Sequence, residues 1–125
     1  ATHSRTRTSC AACTIGCEHI FHLAPPPANK SPGVTPPGSN PSSPAGVRME
    51  YENLFALGPL CGVSDPDTVL RASRLCDDLG IDTISAGGTI AFAMECADRG
   101  MIDAPNLRFG DGGALLEMLD LIGRR

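Results

Sequence analysis

The stretch SDPDTVLRASRLCDDLG, Ser64 to Gly80, decides the fold class. It opens on helix start signals. Ser64 or Asp65 can cap, Pro66 falls in the first turn, and Asp67 sits near the positive helix end. Val69, Ala72, Leu75, Cys76 and Leu79 then recur at steps of three and four, the period of one helix face. Gly80 supplies the stop. The pattern predicts an amphipathic helix whose apolar stripe needs partners.

Reading outward, the same pattern repeats on both sides. Met49 to Leu57 is a short helix closed by Gly58 and Pro59. A third helix is predicted from about Ile84 or Gly88 to Arg99, with Ile90, Ala93, Met94 and Ala97 on one face and Gly100 as its stop. A fourth covers Gly112 to Gly123, carrying Leu115, Leu116, Met118, Leu119 and Ile122. No run alternates with a period of two, and no internal repeat is present. The expected fold class is therefore all-α: one irregular helical domain over 1–125, with about four helices and a cysteine loop at its N-terminal end. Residues 24–46 hold eight of the eleven prolines. Proline cannot propagate a helix or donate to a sheet ladder, so this stretch reads as a long, flexible, solvated insertion.

Bulk properties narrow the function classes. The 125 residues carry a net charge of −4 and a pI near 5.2, against the basic stripe that nucleic-acid binding needs. No apolar run approaches the roughly 20 residues that span a bilayer. The opening is polar and basic with no apolar stretch behind it, so no signal peptide is read there. It begins without Met just ahead of a cysteine cluster, the expectation being an internal piece of a larger protein. Six cysteines fall into two sets. Cys61, Cys76 and Cys96 lie in apolar helical sequence and read as buried small hydrophobes, in a reducing, cytoplasmic compartment rather than a disulfide scaffold.

The other set carries chemistry. Cys10, Cys13 and Cys17 have the spacing C-x2-C-x3-C within TSCAACTIGC. Thiolates so spaced on a tight loop can bind several irons of one cubane, and the small Ala11, Ala12 and Gly16 let the backbone approach it. A [4Fe-4S] cluster needs four ligands, so the fourth is one of the scattered cysteines or lies outside the chain. The radical-SAM order, C-x3-C-x2-C, is the reverse. The rival reading is a zinc-stabilised helical binding module, with His19 or His22 completing a Cys3His site.

Two acidic groups stand out. Cys76-Asp77-Asp78-Leu79-Gly80-Ile81-Asp82 places acids at a helix C-terminus, where the helix dipole disfavours them. Such a carboxylate could accept the paired hydrogen bonds of an amino-pyrimidinone edge, or it could simply be solvated. Glu50 and Glu52 sit on an otherwise apolar short helix. A glutamate there could move protons if it faces a dry pocket, or else both are exposed. Ser85-Ala86-Gly87-Gly88 offers a weaker signal, a helix start able to approach an anion.

In this order the motifs resemble the aldehyde ferredoxin oxidoreductase family. They are the cysteine triplet, Glu-Tyr-Glu-x3-Ala-Leu-Gly from Glu50 to Gly58, Leu75 to Ser85, Gly87 to Cys96, and Arg-Phe-Gly-Asp from Arg108 to Asp111. The resemblance implies a helical middle domain of a tungsten- or molybdenum-bispterin enzyme. It implies that Cys10, Cys13 and Cys17 ligate the [4Fe-4S] cluster, with the fourth cysteine downstream of Arg125. Asp77, Gly80, Ile81 and Asp82 would bind a pterin. Glu52 would assist proton transfer near the metal. The implied activity is oxidation of an aldehyde to a carboxylic acid, with electrons passed to ferredoxin or another carrier, and with the remaining domains of the same enzyme as partners. A family relative reducing aromatic thioesters is the close alternative. Some members bridge subunits through an iron held by Glu and His. Arg71 and Leu116 occupy those positions here, so a homodimer built on that iron is not expected.

Overall fold

A computed structural model describes residues 4–22 and 46–124. The element order is β1 (Arg5–Thr8), β2 (Glu18–Phe21), β3 (Val47–Met49), α1 (Tyr51–Leu57), α2 (Pro66–Leu79), α3 (Thr83–Asp98) and α4 (Gly112–Gly123), with a 3-10 turn at Pro59–Cys61. The four expected helices are present. The proline-rich expectation falls, but for Gly46, outside the described residues.

The all-α expectation is corrected: the protein is mainly helical, with a small antiparallel sheet of order β1-β2-β3. Arg5 pairs with Phe21 and Thr8 with Glu18, while His19 faces Met49 and Phe21 faces Val47. The reason is length and distance in sequence. Strands of three or four residues show no usable alternation, and β3 joins β2 from across the proline-rich stretch. β3 alone shows a buried–exposed–buried pattern, Val47 and Met49 facing inward.

Each long helix is built from local chemistry. Asp65 caps α2, its carboxylate accepting from the Thr68 N–H at 2.9 Å and from the Thr68 hydroxyl at 2.6 Å. Gly80 ends it in the left-handed region at φ 66°, where glycine carries no Cβ penalty. The Ile81 N–H then donates to the Cys76 carbonyl at 2.9 Å. Asp82 caps α3 through the Ser85 N–H and Asp111 caps α4 through the Ala114 N–H. α3 thus begins at Thr83, ahead of the expected Ile84 or Gly88. α1 begins at Tyr51 rather than Met49, because Met49 completes β3 and Glu50 is extended at φ −111°, ψ 171°. The Glu50 N–H donates to the Asn53 side chain at 2.9 Å, in a capping box.

The core gathers the apolar stripes. Leu57, Ile90, Met94, Leu115 and Leu119 are fully buried, with Cys61 and Cys76 among them. α2 packs on α4 and α1 on α3. β3 lies against α2, where the buried Ser73 hydroxyl donates to the Arg48 carbonyl at 3.3 Å. The sheet is thereby fixed to the helical core, and the cysteine loop with it. Among the described residues no helix is long and apolar enough to cross a membrane.

Candidate metal centre

The nine residues from Ser9 to Cys17 connect β1 to β2. Cys10 and Cys13 close a turn, the Cys13 N–H donating to the Cys10 carbonyl at 3.0 Å. Its third residue, Ala12, has φ 62°, and among the described residues it is the one non-glycine with positive φ. A turn with positive φ at that position normally takes glycine. Gly16, at φ 58°, makes the second left-handed step. Arg7 pins the far side of the loop, its Nε donating to the Gly16 carbonyl at 2.8 Å and its Nη2 to the Ile15 carbonyl at 2.9 Å. The loop is thus held by backbone turns and one guanidinium, leaving the thiols uncommitted. Cys10 and Cys17 are exposed and Cys13 is half-buried.

Directly behind Cys10 lies a charged group with no signal in the sequence. Glu18, the first residue of β2, is 1% exposed. Its Oε1 is paired with the Arg48 guanidinium of β3, and its buried Oε2 has no hydrogen-bond partner. A ligand-type atom from each of Cys10, Glu18 and Glu50 lies within 4.8 Å of the others. The negative charge of Glu50, then slight desolvation, then Glu18 and the neighbouring thiols push the Cys10 thiol above its ordinary value. The Glu18 hydrogen bond and charge likewise hold the Arg48 guanidinium up. A cation at this loop would relieve the crowding of negative charge.

The donor set of the loop suits a multi-iron group. Four ligands of one tetrahedral zinc have sulfurs about 3.8 Å apart. Among the described residues the one group of three such ligand atoms within 4.8 Å of one another is Cys10, Glu18 and Glu50, and neither the three thiols together nor His19 or His22 form another. His19 instead places Nδ1 3.0 Å from the Cys17 carbonyl oxygen. Three soft thiolates on one loop, each free to take a different iron, fit a cubane. Cys61, Cys76 and Cys96 are buried in the helical core, as expected of small hydrophobes, and burial pushes up the Cys61 and Cys76 thiols, the latter to about 11. They are placed to pack, not to ligate.

A cleft of about 960 Å³ opens beneath the loop, between the sheet and helices α1 and α2. Arg5, Cys17, His19, Glu50, Tyr51 and Leu54 are among its walls. Glu52 is not. It is exposed on α1, beside the exposed Tyr51, Leu54 and Phe55.

The acidic segment is divided between two helices. Asp77, at the end of α2, is surface-exposed yet partly desolvated, which raises its carboxyl from the usual value. Asp78 is neutralised by Arg74 at 3.0 Å. Asp82 belongs to the positive end of α3, and its bonds from the Ser85 hydroxyl and N–H hold its carboxyl below the usual range. The acids therefore do not all crowd one negative helix end. Gly80 has nothing within 4 Å of where a Cβ would be, and Ile81 is half-buried against the core. None of these four residues lines the cleft under the cysteine loop. Arg7, Glu18 and Arg48 are the site residues that pattern reading missed. Glu18 and Arg48 lie thirty positions apart on different strands, and only the sheet brings them together.

A family model described as "Aldehyde ferredoxin oxidoreductase, domains 2 & 3" matches residues 1–125. The chain is 35% identical over 122 residues to a tungsten-containing aldehyde ferredoxin oxidoreductase of Pyrococcus furiosus, covering 93% of the chain and 17% of that relative. It is 36% identical over 124 residues to the protein of the same description from Thermococcus kodakarensis, with the same two coverages, 93% and 17%. An aliphatic sulfonate oxidoreductase, WOR-like subunit, of Pyrococcus furiosus is 30% identical over 114 residues, 88% of the chain and 16% of that relative. The chain thus spans about a sixth of the length of these curated relatives.

Proposed function

This chain belongs to the aldehyde ferredoxin oxidoreductase family, and on that premise we propose that it forms the cluster-holding, pterin-facing part of a cytoplasmic enzyme oxidising aldehydes to carboxylic acids. The observation that carries the reading is the cysteine loop. Cys10, Cys13 and Cys17 are presented on one loop, free and accessible, with a backbone turn closing the first two. When bound, a tungsten- or molybdenum-bispterin would supply the two-electron oxidation, and a [4Fe-4S] cluster the single-electron route to ferredoxin or another carrier.

The chain's own residues do the rest. The three cysteines hold the cluster, and Arg7 keeps their loop in register. Asp77 offers an exposed carboxylate for the amino-pyrimidinone edge of a pterin. Gly80 leaves open space beside it, and Ile81 with Asp82 locks the next helix in place. Glu52, exposed on α1, would take or give a proton as oxygen adds to the aldehyde carbon. A second reading rests on the sulfonate-oxidoreductase relative: the same machinery acting on a different oxidisable substrate.

The test is the elemental content of the complete parent protein, purified without oxygen. About four irons with one tungsten or molybdenum per chain are expected. One zinc with little iron would reject the reading in favour of a zinc-stapled module. Within the loaded enzyme, Glu52→Gln should lower turnover about 100- to 10,000-fold with metal content unchanged, the range for losing a general acid or base. Unchanged turnover removes the role. Steady-state rates with an aldehyde panel and a viologen acceptor also separate the two substrate readings.

A further inference from the structure

The proposed function makes no use of Glu18, although it is the most deeply buried charge among the described residues. A buried carboxylate is costly unless its oxygens are satisfied. Here one oxygen is bound by Arg48 and the other by nothing. Glu18 directly follows Cys17 in the chain, and one of its oxygens is within 4.8 Å of the Cys10 sulfur. The pair with Arg48 is electrostatically lopsided. The Glu18 side chain is 2% exposed and that of Arg48 is 63% exposed. Water screens the guanidinium far more than the carboxylate, so the loop feels a net negative field from the pair. Glu50 adds its own charge, with a carboxylate oxygen within 4.8 Å of both the Cys10 sulfur and a Glu18 oxygen.

We propose that Glu18 is a positioning residue for the cysteine-held cluster, its fixed buried charge beside Cys10 lowering the reduction potential of that cluster. The inference rests on the reading that Cys10, Cys13 and Cys17 hold an iron–sulfur cluster. Reduction adds an electron next to a carboxylate shielded from solvent, and that repulsion disfavours the reduced state. Charge and hydrogen bonding around the sulfurs are among the levers that set such potentials. Arg48 fixes the carboxylate in place, and β2–β3 pairing fixes Arg48.

The experiment is a redox titration of the complete parent enzyme, followed by the electron-spin resonance of the reduced cluster, with iron per chain counted in every sample. Glu18→Gln keeps the shape and an oxygen for Arg48 while removing the charge. Its midpoint should rise, with iron unchanged. Glu18→Asp keeps the charge and disturbs packing, so its midpoint should stay nearer the unsubstituted enzyme. A rise in Glu18→Asp equal to that in Glu18→Gln would assign the effect to packing and overturn the proposal. So would an unmoved midpoint in Glu18→Gln at full iron content. Should Glu18→Gln fail to load, Arg48→Gln carries the test with the opposite sign, a lowered midpoint. An unmoved value there, or loss of cluster from both variants, overturns the proposal as well. A parent enzyme without iron would instead bring down the family-based reading on which this inference stands.

Discussion

Ala12 carries more constraint than its small side chain suggests. Held at φ 62°, it sits where an L-residue is penalised by about 1–2 kcal/mol. The turn between Cys10 and Cys13 demands that conformation, so the loop stores strain at the point where it must present its thiols. Ala12→Gly should relieve the strain and leave iron retention intact. Ala12→Val, β-branched at positive φ, should open the turn and shed iron several-fold faster under chelator challenge. Equal retention in both variants of the parent protein would show that the turn does not govern the site. The cysteine spacing and the small residues between the thiols were legible in the sequence. The left-handed backbone at an alanine was not, since nothing in Cys-Ala-Ala-Cys asks for it.

At the scale of elements, close approach and capping decide the geometry. Gly87 of α3 lies against the backbone of α1, and a Cβ there would collide with the Ala56 carbonyl. The Cys61 thiol donates at 3.4 Å to that same carbonyl and at 3.6 Å to the Gly87 carbonyl, tying the 3-10 turn to both helices. Gly87→Ala should therefore push α1 outward, at about 1–3 kcal/mol for overpacking. Thermal melts of the parent enzyme would show it, and activity should fall with stability because Glu52 rides on α1. An unchanged melt would mean the two helices separate freely. Asp65 tests the caps. Its carboxyl is held below the ordinary value by the Thr68 hydroxyl and N–H. A depressed folded value means stabilisation present above the unfolded value and lost as pH falls through the folded one. Asp65→Ala should thus lower the melting temperature at neutral pH, with the gap closing in acid. A gap independent of pH would point to a role other than that of a charged cap.

The whole molecule sorts its six cysteines into two kinds. Cys10 and Cys17 are exposed at the loop, while Cys61 and Cys76 are fully buried in the core with thiols that burial pushes upward. The thiolate is the reactive form, so the core pair should resist alkylation at pH 8 under native conditions and react only on unfolding. In the metal-free protein the exposed Cys17 should label readily, ahead of Cys10, whose thiol the neighbouring carboxylates hold up. Mass spectrometry after brief iodoacetamide treatment reads both at once, and rapid labelling of Cys76 in the folded protein would contradict its place in the core. The exposed Tyr51, Leu54 and Phe55 of α1, with Ile84 and Phe92 of α3, sit on a chain that spans about a sixth of its relatives' length.

By itself the sequence determined the helices, the punctuation between them and the three thiols of the loop. These rest on local physics: a period of three to four residues, Asp and Gly at helix ends, and cysteines close in the chain. Even so, chain order groups Asp82 with the end of one helix while the fold makes it the cap of the next, because a carboxylate's partner depends on which side of a turn the backbone resumes its coil. The tertiary structure alone decided the sheet, and with it the meeting of Glu18, Arg48 and Glu50 behind Cys10. Strands of three and four residues have too little pattern to be seen singly, and they form because β2 finds partners on both sides while Val47 and Met49 bury against the core. A charge in such a strand looks solvent-facing until the pairing that buries it exists.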